Sequence, residues 1–131
     1  MLLKQISLYL VLASLVLAAS GCAPNIVGSE AGVYTSTGKL YAVTKGDMTR
    51  VYNAALDALA KLEVEVIEKS KDVFSARILA KGADGKMITI KMEPGVGDLT
   101  EFNIRVGTFG DEYRSRIIYD RIQQNLKTGT K

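Results

Sequence analysis

Residues 74–92 read Phe74-Ser75-Ala76-Arg77-Ile78-Leu79-Ala80-Lys81-Gly82-Ala83-Asp84-Gly85-Lys86-Met87-Ile88-Thr89-Ile90-Lys91-Met92. Phe74, Ala76, Ile78 and Ala80 alternate with Ser75, Arg77 and Leu79, and Ile88, Ile90 and Met92 alternate with Thr89 and Lys91. A period of two sends successive side chains to opposite faces of a strand, so each run predicts a strand with one apolar face. Between the runs, Gly82-Ala83-Asp84-Gly85 holds an Asp-Gly pair, a hairpin-turn signal.

The pattern extends on both sides. Downstream, Pro94-Gly95-Val96-Gly97-Asp98 turns the chain, and Thr100, Phe102, Ile104 and Val106 then alternate with Glu101, Asn103 and Arg105. Upstream, Leu62, Val64 and Val66 alternate with Glu63 and Glu65 before a turn at Lys69-Ser70-Lys71-Asp72. Four strands joined by short turns describe an antiparallel meander with one buried and one wet face.

Helical spacing flanks the meander. Met48, Val51, Tyr52, Ala55, Leu59 and Leu62 form one stripe, opposite Arg50, Asn53, Asp57 and Lys61, and Asp47 is placed to cap the helix start. Ala54, Ala55, Ala58 and Ala60 favour this helix and allow close approach to a sheet. After the meander, Asp111 and Glu112 suit a second helix start, and Tyr113, Ile117, Ile118, Ile122 and Leu126 give it an apolar face. Before the first helix, residues 39–44 read as a strand opened by Gly38, and residues 33–35 have the composition of a short additional strand. The expected domain therefore covers residues 38–127 in the order β-α-β-β-β-β-α, with 128–131 as a frayed tail. One apolar sheet face predicts both helices on that face, a two-layer α+β sandwich.

The chain begins with Lys4, an apolar run from Ile6 to Leu17, and small residues up to the sole cysteine, Cys22. A charged start, a short apolar stretch and small residues describe a secretory signal peptide over residues 1–21, and about 20 apolar residues would be needed to span a membrane. Ala19-Ser20-Gly21-Cys22 resembles the bacterial lipobox, although that pattern prefers leucine where Ala19 stands. The resemblance implies cleavage before Cys22, a diacylglycerol on its thiol, and acylation of the new amine. Several acyl chains give stable attachment where one gives only marginal binding. An ordinary signal peptide and an uncleaved anchor are the alternatives. By the same resemblance, Ala23 in place of aspartate favours the outer membrane, facing the periplasm. Residues 22–37, rich in Gly, Ser and Thr, read as a tether.

Lys4 is the one charged residue ahead of Cys22, so the mature chain holds 17 − 1 = 16 basic and 14 acidic residues, a net charge of +2. The excess is small and scattered, without the clustered basic stripe that nucleic acid requires. About 110 mature residues suit one domain with one modest core. With its only cysteine lipidated, the domain has no thiol for a disulfide.

The mature domain resembles a family of short bacterial lipoproteins grouped as a domain of unknown function. The likeness rests on Gly38-Lys39-Leu40, on Val51-Tyr52 through Leu59, and on Ala83-Asp84-Gly85-Lys86. Its most specific piece is Ile104-Arg105-Val106-Gly107-Thr108-Phe109-Gly110-Asp111-Glu112, continuing through Ser115, Ile118 and Asp120. The resemblance supports a lipoprotein with this strand and helix order and supplies no catalytic residues.

The chain has no histidine, which removes Ser-His and Cys-His nucleophilic sites and most zinc sites. The acidic residues show no catalytic spacing, so no enzymatic activity, metal or cofactor is expected. Gly95-Val96-Gly97 precedes a strand, whereas phosphate loops feed a helix. The stretch with functional potential is Gly107, Phe109, Gly110 and Asp111. Its N–H groups could receive an anion, or Phe109 could meet a partner. The structural reading, which we favour, has the glycines shaping the turn, Phe109 packing under the helix and Asp111 capping it. A weaker candidate is the polar sheet face of Glu63, Glu65, Arg77, Lys91, Glu101 and Arg105, where cross-strand pairs of opposite charge would suffice as explanation. The expectation is a non-enzymatic lipid-anchored envelope protein that acts through protein contacts. The alternative is a small-ligand or lipid-binding module with a pocket between helices and sheet.

Overall fold

The computed structural model describes residues 33–129, together with Leu2, Leu3, Gln5 and Ile6, which are helical. The elements are β1 (Val33–Ser36), β2 (Lys39–Lys45), α1 (Met48–Lys61), β3 (Glu65–Lys71), β4 (Ala76–Lys81), β5 (Met87–Pro94), β6 (Leu99–Val106) and α2 (Glu112–Thr128). All strands join one antiparallel sheet in the order β1-β2-β6-β5-β4-β3. The helices pack on each other and on the sheet, α1 over β3 to β6 and α2 over β6 and β2. This is the expected α+β arrangement, with β1 added at the edge. The sheet therefore starts at Val33, inside the span read as tether.

Register explains the core. Leu40, Ile104, Ile90 and Ile78 stand in one transverse row, each directly opposite the next, and all are fully buried. The next row is Ala42, Phe102, Met92 and Ala76, and the row beyond the first is Val106, Ile88 and Ala80. Opposed apolar pairs on one face are the unit of sheet stability. Onto these rows α1 lays Val51, Ala55, Ala58 and Leu59, and α2 lays Ile118, Tyr119, Ile122 and Leu126.

Four sequence expectations change. Tyr113 and Ile117 of α2 face outward, and Tyr119, Gln123 and Asn125 are buried instead. Gln123 bonds Thr44, while the Asn125 amide donates to the Ala54 carbonyl and its oxygen accepts from Lys61 Nζ at 2.7 Å. These partners on β2 and α1 fix the helix rotation, since a buried amide without them would cost about 1–3 kcal/mol.

Phe74 leaves the core as well. Pairing of β3 with β4 stops at Lys71 and Ala76, and Asp72 Oδ1 accepts from the N–H groups of Phe74 and Ser75. That side-chain turn closes the hairpin with Phe74 at its apex, 80% exposed.

Glu63 does not lie on the sheet face. It follows the α1 cap residue Leu62 at φ 57°, where Glu63 N–H donates to Ala60 and Val64 N–H to Leu59. This is a Schellman ending with glutamate at the left-handed position usually held by glycine.

The outer-face charges pair by sign directly across the strands at Glu65 and Lys81, on the edge strand, but not in the centre of the sheet. Arg77 stands opposite Lys91, and Glu93 opposite Glu101. The edge strand β3 carries a bulge between Val66 and Glu68, with Lys69 and Lys71 following it. A bulge and lysines discourage edge-to-edge pairing.

Candidate functional site

The sheet has two ends of different character. At one end meet the β1–β2 turn, the β4–β5 turn, the end of α1 and the loop 107–111 that leads into α2. The β1–β2 turn has Thr37 and Gly38 at φ 51° and 71°, the paired positive values of a two-residue hairpin loop. Gly38 then lies backbone to backbone against residues 109 and 110. A Cβ on Gly38 would stand 2.5 Å from the Phe109 carbonyl oxygen, and one on Gly110, at φ 81°, would overlap the Gly38 carbonyl. Two glycines far apart in sequence thus permit one contact that no side chain allows.

Further bonds hold the loop. Gly107 N–H donates to Met87 O at 2.8 Å, and the Arg105 guanidinium donates to Thr108 O. Asp111 caps α2 by accepting from Arg114 N–H at 3.0 Å. The Arg114 guanidinium donates to Asp84 across to the β4–β5 turn. That bond, with a smaller contribution from Lys86 N–H, holds the Asp84 carboxyl below its ordinary pKa. The Asp111 carboxylate stands where an incoming anion would sit at the start of α2.

Phe109, in contrast, is 91% exposed, at the crest of this braced loop. The expectation that it packs under the helix is therefore overturned. The loop turns back to touch Gly38, and that contact leaves no room for a ring beneath it. Four and eight residues on, Tyr113 and Ile117 are 77% and 40% exposed. Ile117 also lines a cleft of about 270 Å³ with Leu62, Val64, Ile88 and Ile118, between the end of α1 and the start of α2. The sequence singles out the aromatic at 109, whereas helical spacing assigns its neighbours Tyr113 and Ile117 to the core. Their signal was the excess of apolar residues on α2 over what one buried stripe can hold.

A second cleft, of about 630 Å³, lies between α1 and α2 toward the opposite end, lined by Asp47, Thr49, Arg50, Asn53, Asp57 and Asn125 among others. It lies along the helix pair, not between helices and sheet, and Arg50 in it is already bonded to the Leu126 carbonyl. Among the described residues, no group of three His, Cys, Asp or Glu side chains stands together to hold a metal, and no helix is long and apolar enough to cross a membrane. Cys22 lies outside the described residues.

The sequence model of the protein family of unknown function (DUF3568) matches residues 5–125. The chain belongs to that family. The match takes in the whole sheet, α1 and most of α2, so Gly38, Gly110 and the loop carrying Phe109 lie within the matched residues. A comparison with curated proteins finds no match.

Proposed function

We propose that this chain is a non-enzymatic lipoprotein of the bacterial envelope. Cys22 carries its acyl anchor in the outer membrane, and the domain binds a protein on the periplasmic side through Phe109, Tyr113 and Ile117. The anchor is supported by the leader pattern and by the position of the only cysteine. The contact is supported by one observation above others, a nearly fully exposed aromatic ring on a loop braced by Gly38, Met87 and Arg105. An aromatic already held in place loses little conformational freedom on binding, and such residues dominate interface energies.

The test is photo-crosslinking in cells from position 109, with position 68 on exposed β3 as the control. One discrete protein adduct at 109 and none at 68 supports the reading. No adduct at 109, 113 or 117, with lipid co-purifying with the domain, overturns it in favour of ligand binding. Separately, Cys22→Ser is expected to release the protein from membranes and remove the mass of its lipid; unchanged mass and location sink the anchor.

A further inference from the structure

The other end of the sheet carries two free hairpin tips, residues 72–75 between β3 and β4 and residues 95–98 between β5 and β6. Val73, Phe74 and Val96 stand at these tips, and Val96 is 87% exposed. The chain also enters the sheet from this side, joining halfway along β2 and running away from the tips. Val33 pairs with Ala42, Ala42 with Phe102, Phe102 with Met92, and Met92 with Ala76. The first residue of β1 therefore lies in the transverse row from which both tips project. Eleven peptide steps separate Cys22 from Val33 (33 − 22), a reach of at most about 40 Å. Each tip projects only two to four residues past that row, or roughly 7–13 Å.

We infer that the tips at Val73-Phe74 and Val96 rest in the surface of the membrane that holds the anchor, so that the domain lies with Phe109 directed away from the bilayer. This rests on Cys22 being lipidated. The tip chemistry fits a lipid interface. Backbone N–H groups entering that layer must already be satisfied. At 72–75 the turn supplies its own partners: Asp72 Oδ1 accepts from Phe74 and Ser75, and Asp72 N–H donates to Ser75 O. At the second tip Gly95 N–H donates to Leu99 O, and Gly46 N–H donates to Asp98 O. Val73 and Phe74 are thus presented on a turn that bonds itself, and Val96 on a turn held at Gly95 and Asp98. Acyl anchorage raises their local concentration at the surface, so weak individual insertion suffices.

The experiment uses the full lipidated chain. With Cys22 sulfur in a thioether, a cysteine introduced by Phe74→Cys, Val96→Cys or Tyr113→Cys is the single free thiol, and all three positions are exposed. Each is labelled with bimane. The proteins are then reconstituted in vesicles of phosphatidylethanolamine and phosphatidylglycerol whose acyl chains bear a shallow nitroxide. Fluorescence at 74 and 96 is expected to fall about two-fold or more, with little change at 113. Equal, weak quenching at all three positions in protein that floats with the vesicles overturns the inference and leaves the anchor standing. Failure to float, with an unlipidated mass, overturns the anchor and this inference with it.

Discussion

The two ends of the sheet expose aromatic rings in opposite ways. At the Phe109 end, backbone is packed on backbone, and the loop is tied to the β1–β2 turn, β5 and α2. At the Phe74 end, the 72–75 hairpin closes on itself, the 95–98 hairpin is tied outside itself by Gly46 N–H donating to Asp98 O, and Phe74 sits on a turn whose bonds come from Asp72 alone. A ring on a frame fixed by distant parts of the chain suits a specific partner. A ring on an independent turn suits a soft surface. The contrast predicts that glycines at the two ends differ sharply in what they tolerate. Gly110→Ala adds left-handed strain and an overlap with the Gly38 carbonyl, so a loss of about 2–5 kcal/mol is expected. Gly97→Ala at φ 65°, with nothing within 4 Å of the new Cβ, is expected to lose only about 1–2 kcal/mol. Urea melts of the two variants measure the difference, and equal losses would remove the idea of a locked end.

The next effect has the opposite sign. Glu63 occupies a left-handed position at the end of α1, where a Cβ is unfavourable. Glu63→Gly relieves about 1–2 kcal/mol of strain and gives back part of it as unfolded-chain entropy, a net gain of roughly 0.5–1 kcal/mol. A fall in thermal midpoint would show that Glu63 makes a compensating contact.

Phe109→Ala is expected to change stability by no more than about 0.5 kcal/mol, as for surface sites away from special features, while weakening the adduct formed from a crosslinker at position 113. A large loss of stability would mean that the ring supports the fold.

These residues mark where the sequence is legible. The inward rows, from Leu40–Ile104–Ile90–Ile78 onward, follow from alternation, since a one-residue slip would expose the whole apolar set. The ends of elements do not follow from it. Alternation continues through Phe74, but pairing stops at Ala76 because Asp72 offers its own acceptor to the next two N–H groups. On α2, adjacent Ile117 and Ile118 leave the buried face ambiguous by one residue, and partners on other elements, Thr44 and the Ala54 carbonyl, decide it. The Gly38–Gly110 contact joins positions 72 residues apart (110 − 38), and no local pattern announces it.

The smallest effect separates the two ends by electrostatics alone. Asp84 at the braced end and Asp72 at the free end both have carboxyls held below the ordinary value of 3.8. The causes differ: chiefly the Arg114 guanidinium for Asp84, and the N–H groups of Phe74 and Ser75 for Asp72. A depressed folded pKa means that each contribution to stability is present above about pH 4 and is lost as pH falls through the folded value. Both groups are solvent-exposed, so the contributions are small. Arg114→Gln is expected to return Asp84 toward 3.8 and leave Asp72 unmoved, as read by carboxyl-carbon NMR titration. Raising salt toward 1 M should do the same in part, because a charge pair open to solvent is screened while short N–H bonds within one turn are much less so. If Asp72 follows Asp84 under both treatments, the two turns share an electrostatic environment, and the independence of the free end fails.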